Sequence, residues 1–355
     1  MLSRTSLYLQ TTNIYGYRFA SQLFYEKYGD PLEVIQLQNE SIENNALKAG
    51  EVRVGFRASP INPADINQIQ GVYPVKPKLP AIGGNEGFGI VKEVGSNVTS
   101  LNVGDHVIPA ASGFGTWRSA AISNENNFYK IDKRIPMKYA ATLQVNPCTA
   151  YRMLNDFVEL KEGDTVIQNG ANSAVGRYVI QISKILGYET INVVRKRENI
   201  DELKTELEGL GATKVFTEEE FLKNSRSIKS RLALNCVGGR NSLGIASTLQ
   251  HGGIMVTYGG MSKQPVQGAT GPFIFKDITF RGFWMSSWYE KSAKDQELKG
   301  KRDEMYSEIA DWIVNKQLVK PKVVLRQPEE FKEALKDAME TAGIKQLFVF
   351  DENKN

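Results

Sequence analysis

At 355 residues, with 41% hydrophobic and 24% charged residues, the chain has room for two domains and the composition of a globular protein. A net charge of +4, spread along the chain, makes no basic footprint for nucleic acid, and no apolar run reaches the roughly 18 residues of a membrane span. Two cysteines, Cys148 and Cys236, permit at most one disulfide and lack zinc-site spacing, so both are expected as reduced thiols.

From Met1 to Tyr25 there is no acidic residue, while Arg4 and Arg18 are basic and hydroxyl residues are frequent. That composition fits a mitochondrial transit peptide, a disordered leader being the alternative, and residues 1–21 are set apart from the fold on this ground. From there to about residue 140, short apolar runs alternate with Gly, Pro and Asn turns, as in EVRVGFRASP, GFGIVKEV and GTWRSAAIS. Such spacing predicts a small β-rich unit. Gly95 to Asn97 turn the chain, and Val103-Gly104-Asp105 leads into a strand at His106 to Pro109. Within this unit, residues 65–87 read DINQIQGVYPVKPKLPAIGGNEG. Gly71, Pro74, Pro77, Pro80, Gly83 and Gly84 exclude a long helix or a central strand, so the stretch is expected as loop. It holds one aromatic, Tyr73. Two readings stand: a ring packed on a neighbouring strand, or a side chain presented to a cleft.

Near residue 140 the period changes to helical in AATLQVNPCTAYRMLNDFVEL, with Pro147 near the start. The strand TVIQN follows, then a glycine-bearing turn, a helix over about Val175 to Leu186 and the strand TINVV. This is a βαβ unit. A helix in ELKTELEGLGA and strands in KVF, RLALNCVGG and GGIMVTYGGM extend the alternation, which predicts a doubly wound parallel sheet. Helices over 301–318 and 328–342 and a strand in QLFVF complete the chain.

Ligands of such a sheet bind beyond the carboxyl ends of its strands. Three turns leave strand ends here: 169–176, 195–197 and 258–261. The first carries Gly170, Ser173 and Gly176, small residues that let the backbone approach a diphosphate at a helix N-terminus. The middle position is serine rather than the glycine of the usual fingerprint, and tight strand–helix packing is the alternative reason for small residues. The second turn is Arg195-Lys196-Arg197, where an NAD-selective fold places an acid to hold the ribose 2′-hydroxyl. Three cations suit a 2′-phosphate instead, so NADPH is the expected cofactor, a solvated basic cluster being the plainer reading.

The strings INPADIN, QIQGVYP, GGNEG, GTWR, VNPCTAYRML, LALNCVGG, TYGGMSKQPV and RGFW together resemble the mitochondrial trans-2-enoyl-thioester reductases. These form part of the quinone-reductase-like branch of the medium-chain dehydrogenase/reductase superfamily. The likeness covers about residues 22 to 348. It implies an α/β fold, with a GroES-like β-rich catalytic domain at 22–143 and 287–355 around a Rossmann domain at 144–286. It also implies a homodimer in the mitochondrial matrix, and NADPH-dependent reduction of enoyl thioesters carried on acyl-carrier protein or CoA.

By the same resemblance the catalytic residue is Tyr73. Cofactor contacts fall on Asn146, on Asn172, Ser173, Ala174 and Val175, and on Arg195, Lys196 and Arg197. Further contacts fall on Tyr258, Gly259, Gly260 and Met261, on Phe283, Trp284 and Met285, and on Lys345. The chain departs from its relatives at Lys196, where they usually carry an acid, and at His106, where they often carry tryptophan. The residues agree with metal-free chemistry: His106 and His251 are the only histidines, and GGNEG lacks the histidine that zinc enzymes of the superfamily place before that glutamate. Conjugate reduction asks only for a hydride and a weak acid, and a tyrosine hydroxyl can serve a developing enolate. Two rival readings are an NADPH:quinone reductase of the same fold and a non-catalytic NADPH-binding coregulator.

Overall fold

The structure, a computed structural model, describes residues 19–41, 46–341 and 343–350. The expected leader therefore lies outside the described residues up to position 18. Phe19–Ser21, which the sequence reading set apart with it, already form a strand: Phe19–Tyr25 pairs antiparallel with Gln36–Ser41, and Ala81–Ile82 adds on its other side.

A seven-stranded sheet draws on both ends of the chain. Its order is Val323–Arg326, Lys345–Val349, Glu51–Pro60, Phe88–Val94, His106–Pro109 and Phe128–Lys130, with Ala120–Asn124 also paired to Glu51–Pro60. Alternating side chains of Glu51–Pro60, including Val52, Val54 and Phe56, are fully buried, as the period-2 pattern requires of a sheet with one covered face. Trp117 and Phe348 meet edge to face at 5.4 Å between ring centroids and join this core from distant parts of the sequence. Burying each such ring contributes roughly 1.5–3 kcal/mol.

The second sheet is wholly parallel, in the order Lys214–Thr217, Glu189–Val194, Thr165–Asn169, Ser230–Asn235, Leu249–Thr257, Thr279–Gly282. The chain starts this sheet at Thr165–Asn169, builds outward on one side, then returns to the other. The switch point thus falls between Thr165–Asn169 and Ser230–Asn235, with every carboxyl end on one edge. The helices Asn146–Asn155 and Ala174–Ile185 pack together through Cys148, Met153 and Leu154 on one and Tyr178, Val179 and Ile182 on the other. Pro147 fits the first turn of its helix, where a missing N–H costs nothing.

Several elements differ from the sequence reading. Asp65–Ile69 are helical, not loop: Pro63–Ile69 forms a short helix, because Asn62 and Asp65 make a capping box and Pro63 opens the first turn. The helix placed at 301–318 runs Gln296–Val314, capped by the Asp295 side chain on the Leu298 amide. The strand read as RLALNCVGG ends at Asn235, and Gly239–Ser247 is helix. Glu218–Asn224, Thr270–Lys276 and Met285–Ser292 are further helices, each too short to display a period. Among the described residues no helix is long and apolar enough to cross a membrane.

Candidate active site

The carboxyl edge of the parallel sheet gathers the predicted cofactor turns. Thr165–Asn169 leads into 170–175, Glu189–Val194 into Arg195, Leu249–Thr257 into Tyr258, and Thr279–Gly282 into Phe283. A layer of asparagines fastens these ends together. Asn169 Nδ2 donates to Asn235 Oδ1 at 2.8 Å, its Oδ1 accepts from the Cys236 amide at 2.8 Å, and Asn235 Nδ2 donates to Thr257 Oγ1 at 3.1 Å. The Tyr258 and Met261 amides donate to Asn235 and Cys236 carbonyls, and the Phe283 amide to that of Thr257.

The first turn requires its glycines. Gly170 lies at φ +58°, and a Cβ there would stand 2.5 Å from Cys236 Sγ; a Cβ on Gly176 would stand 2.6 Å from the Ala171 carbonyl oxygen. The serine in the middle is the helix cap: Ser173 Oγ accepts from the Gly176 amide at 3.1 Å and opens the twelve-residue helix Ala174–Ile185. Here Ser173 performs the helix-opening work that the sequence pattern assigned to a glycine position. At the second turn Arg195 and Lys196 are exposed, while Arg197 Nε is buried with no acceptor. An orphaned guanidinium nitrogen beside two exposed cations, next to a glycine-lined helix N-terminus, fits a dinucleotide with a third phosphate. Lys196 lies close enough to Glu219 to draw that carboxyl below its usual range, after the larger pull of Lys223.

Tyr73 reaches this edge from the other sheet's domain. Its Oη accepts a hydrogen bond from Trp284 Nε1 at 2.8 Å, with the two rings edge to face at 6.0 Å between centroids. Burial pushes the phenol's pKa up, and the hydrogen bonds from Trp284 and Ser286 pull it back. Ser286 Oγ in turn shares a 2.7 Å hydrogen bond with Ser112 Oγ. The turn-rich loop therefore holds Tyr73 against the carboxyl edge, on Trp284, the N-cap of the helix Met285–Ser292, rather than on a neighbouring strand.

Under this pair lies a buried polar network that the sequence reading did not identify. Asp65 and Glu86 are fully buried. Asp65 Oδ2 accepts from the Asn62 amide at 2.7 Å, and its Oδ1 accepts from both the amide and Nδ2 of Asn85. Glu86 accepts from the Val145 amide at 2.7 Å and from Asn62 Nδ2 at 2.9 Å, and Lys345 Nζ donates to Asn62 Oδ1 at 2.6 Å. Burial pushes Asp65 up to about 6 and Glu86 up to about 7 against the pull of Lys345, whose own pKa burial lowers.

The predicted residues are thus mostly brought together, with two qualifications. Met285 is buried in the core. Lys345 is engaged by Asn62, although it lines one cleft with Asn146 and Ala174. Asn146 is the first residue of its helix, directly after the Val145 amide that Glu86 holds. The missed residues, Asn62, Asp65, Asn85 and Glu86, all lie in INPADIN and GGNEG. The available signal was polar residues concentrated between apolar runs, with no charged partner nearby in sequence.

Among the described residues no group of three or more His, Cys, Asp or Glu side chains could hold a metal ion, and both cysteines are buried free thiols. The residues present do not fit a zinc site.

Residues 48–133 match the alcohol dehydrogenase GroES-like domain family, and residues 174–299 match the zinc-binding dehydrogenase family. The chain is 56% identical over 331 residues to a mitochondrial enoyl-acyl-carrier-protein reductase of Caenorhabditis elegans, covering 93% of this chain and 95% of that one. It is similar in structure to the mitochondrial 2-enoyl thioester reductase Etr1p/Etr2p heterodimer from Candida tropicalis, with a TM-score of 0.86 and 38% identity over 94% of this chain and 100% of that chain. A structure of Etr1p with NADP and crotonyl-CoA matches equally well, with a TM-score of 0.86 and 38% identity over the same shares of the two chains.

Proposed function

The chain belongs to the mitochondrial enoyl-acyl-carrier-protein reductases, and from that membership we propose that Tyr73 is the acid of its reaction. The protein is mitochondrial and reduces 2-enoyl thioesters with NADPH in fatty acid synthesis. When bound, NADPH supplies the hydride that adds to the β-carbon of the enoyl group. The rest falls to the chain's own side chains. A phenol has one proton and two lone pairs. Because Trp284 Nε1 donates to one lone pair of Tyr73 Oη, the Tyr73 proton is left for the substrate. It hydrogen-bonds the thioester oxygen as enolate character develops, then passes to the α-carbon, leaving a phenolate that the Trp284 N–H stabilises. The hydrogen bond between Tyr73 and Trp284 is the observation that carries this reading, since it brings the acid to the edge where the cofactor turns converge.

Around it, Asn172–Val175 hold the diphosphate at the helix N-terminus, and Arg195 and Arg197 take the 2′-phosphate, with Lys196 at their side. Asn146, Tyr258–Met261, Phe283–Met285 and Lys345 border the remainder of the cofactor. The catalytic domain comprises the strand from Phe19 onward to 143 together with 287–355, the cofactor domain comprises 144–286, and the residues before Phe19 are a leader. The thioester is carried on acyl-carrier protein or CoA. A second copy of the chain pairs along Thr279–Gly282, the outer strand of the parallel sheet. The preceding helix there leaves Phe273, Ile274 and Phe275 exposed at 41%, 65% and 79%.

The deciding assay follows NADPH oxidation with trans-2-enoyl-CoA substrates of several lengths and with a quinone. Turnover of the thioesters is expected; turnover of the quinone alone would overturn the reading.

A further inference from the structure

Asn85 is 6% exposed, stands in neither the acid nor the cofactor set, and spends every polar atom of its side chain. Its Nδ2 donates to Asp65 Oδ1 at 2.6 Å and to Gln68 Oε1 at 3.1 Å, and its Oδ1 accepts from the Gly113 amide at 2.6 Å. These three partners lead to the same place. Gln68 Nε2 donates to the Val75 carbonyl at 3.2 Å, which is two residues beyond Tyr73 in the loop. Gly113 follows Ser112, whose hydroxyl bonds Ser286, and Ser286 lies two residues after Trp284. Asp65 is the anchor: fully buried, it fixes Asn85 through the side chain and through the Asn85 amide at 2.9 Å.

We propose that Asn85 is a positioning residue for the Tyr73 hydroxyl, tying the loop that carries the acid and the loop that braces Trp284 to one buried carboxylate. The inference rests on the reading of Tyr73 as the acid. An amide suits the position because it must donate twice and accept once in fixed directions, which neither a carboxylate nor a hydroxyl can do. Its neighbour Glu86 serves the opposite side, toward the Val145 amide and Asn146. Displacing a reacting group by a fraction of an ångström slows turnover without loosening the cofactor. Asn85 should therefore affect kcat, not NADPH affinity.

The test is a double-mutant cycle. Asn85→Ala is measured alone and in a Tyr73→Phe background, with kcat, the NADPH dissociation constant and the melting temperature on each protein. Gln68→Ala cuts one arm while leaving Asp65 paired, and it decides the matter if Asn85→Ala does not fold. With Tyr73 present, Asn85→Ala is expected to lower kcat by roughly 10–10²-fold and Gln68→Ala by about 3-fold, with NADPH affinity within about 2-fold of wild type. In the Tyr73→Phe background neither change should lower kcat by more than about 2-fold, because the hydroxyl they position is gone. Equal losses in both backgrounds, or unchanged kcat with Tyr73 present, overturn the proposal while leaving Tyr73 as the acid. A Tyr73→Phe enzyme with normal kcat removes the acid reading itself, and the proposal with it.

Discussion

The two halves of this site are built by different means. The cofactor side is backbone: strand ends, a capped helix N-terminus and two glycines whose Cβ atoms have no room. The acid side is side chains in relay, from Asp65 through Asn85 and Gln68 to the loop of Tyr73, closed by a tryptophan 211 residues away. A backbone-built cradle tolerates loss of single side chains and should fail in affinity. A relay of buried side chains should fail in rate.

The largest expected effect on the cofactor side follows from removing the basic side chains of its second turn. Arg195→Ala with Arg197→Ala should raise the NADPH KM by at least about two orders of magnitude, since each charge-assisted hydrogen bond contributes roughly 1.5–3 kcal/mol. The kcat at saturation should stay near wild type, and NADH, lacking the 2′-phosphate, should be little affected. A matching fall in kcat would erase the contrast between the two halves.

On the acid side, Trp284→Phe keeps the ring against Tyr73 but removes the indole N–H. Steady-state kinetics should show kcat about 10-fold lower, the cost of one hydrogen bond to a developing charge, with NADPH KM within about 3-fold. If only KM moves, Trp284 belongs to the cofactor side alone.

That contrast also explains what could be read from sequence. Gly170, Ser173, Gly176 and the Arg195–Arg197 turn announce themselves, because local backbone requirements select residue types at short spacing. The doubly wound sheet was legible for the same reason. Tyr73 and Trp284 each lay in a recognisable string, yet nothing in either string states that the two side chains meet. Lys345 was expected at the cofactor, and nothing in its string states that Asn62, 283 positions away, accepts its hydrogen bond. Asp65–Ile69 looked like loop because the prolines and glycines that follow it hide a seven-residue helix. Met285 sat in a cofactor string, but the turn into its helix points it into the core.

A smaller effect sharpens the comparison through pH. Burial raises the folded-state pKa of Glu86 to about 7 from its ordinary value of 4.5. A raised pKa means that the folded state binds a proton more tightly than the unfolded chain does, so this contribution is full below about 4.5 and is lost as pH rises through about 7. Glu86→Gln cannot titrate. Thermal melts across pH 4.5 to 8 should show wild type losing stability relative to Glu86→Gln as pH rises; a difference independent of pH would mean that Glu86 does not titrate in that range.

The most direct measurement is Tyr73→Phe, with kcat, NADPH affinity and melting temperature taken on one preparation. The ring keeps its edge-to-face contact with Trp284, so stability should change by less than about 1 kcal/mol and NADPH binding should persist. Turnover of a trans-2-enoyl thioester should fall by roughly 10²–10⁴, the contribution of a positioned acid. A well-folded Tyr73→Phe enzyme that turns over at the wild-type rate would contradict the account.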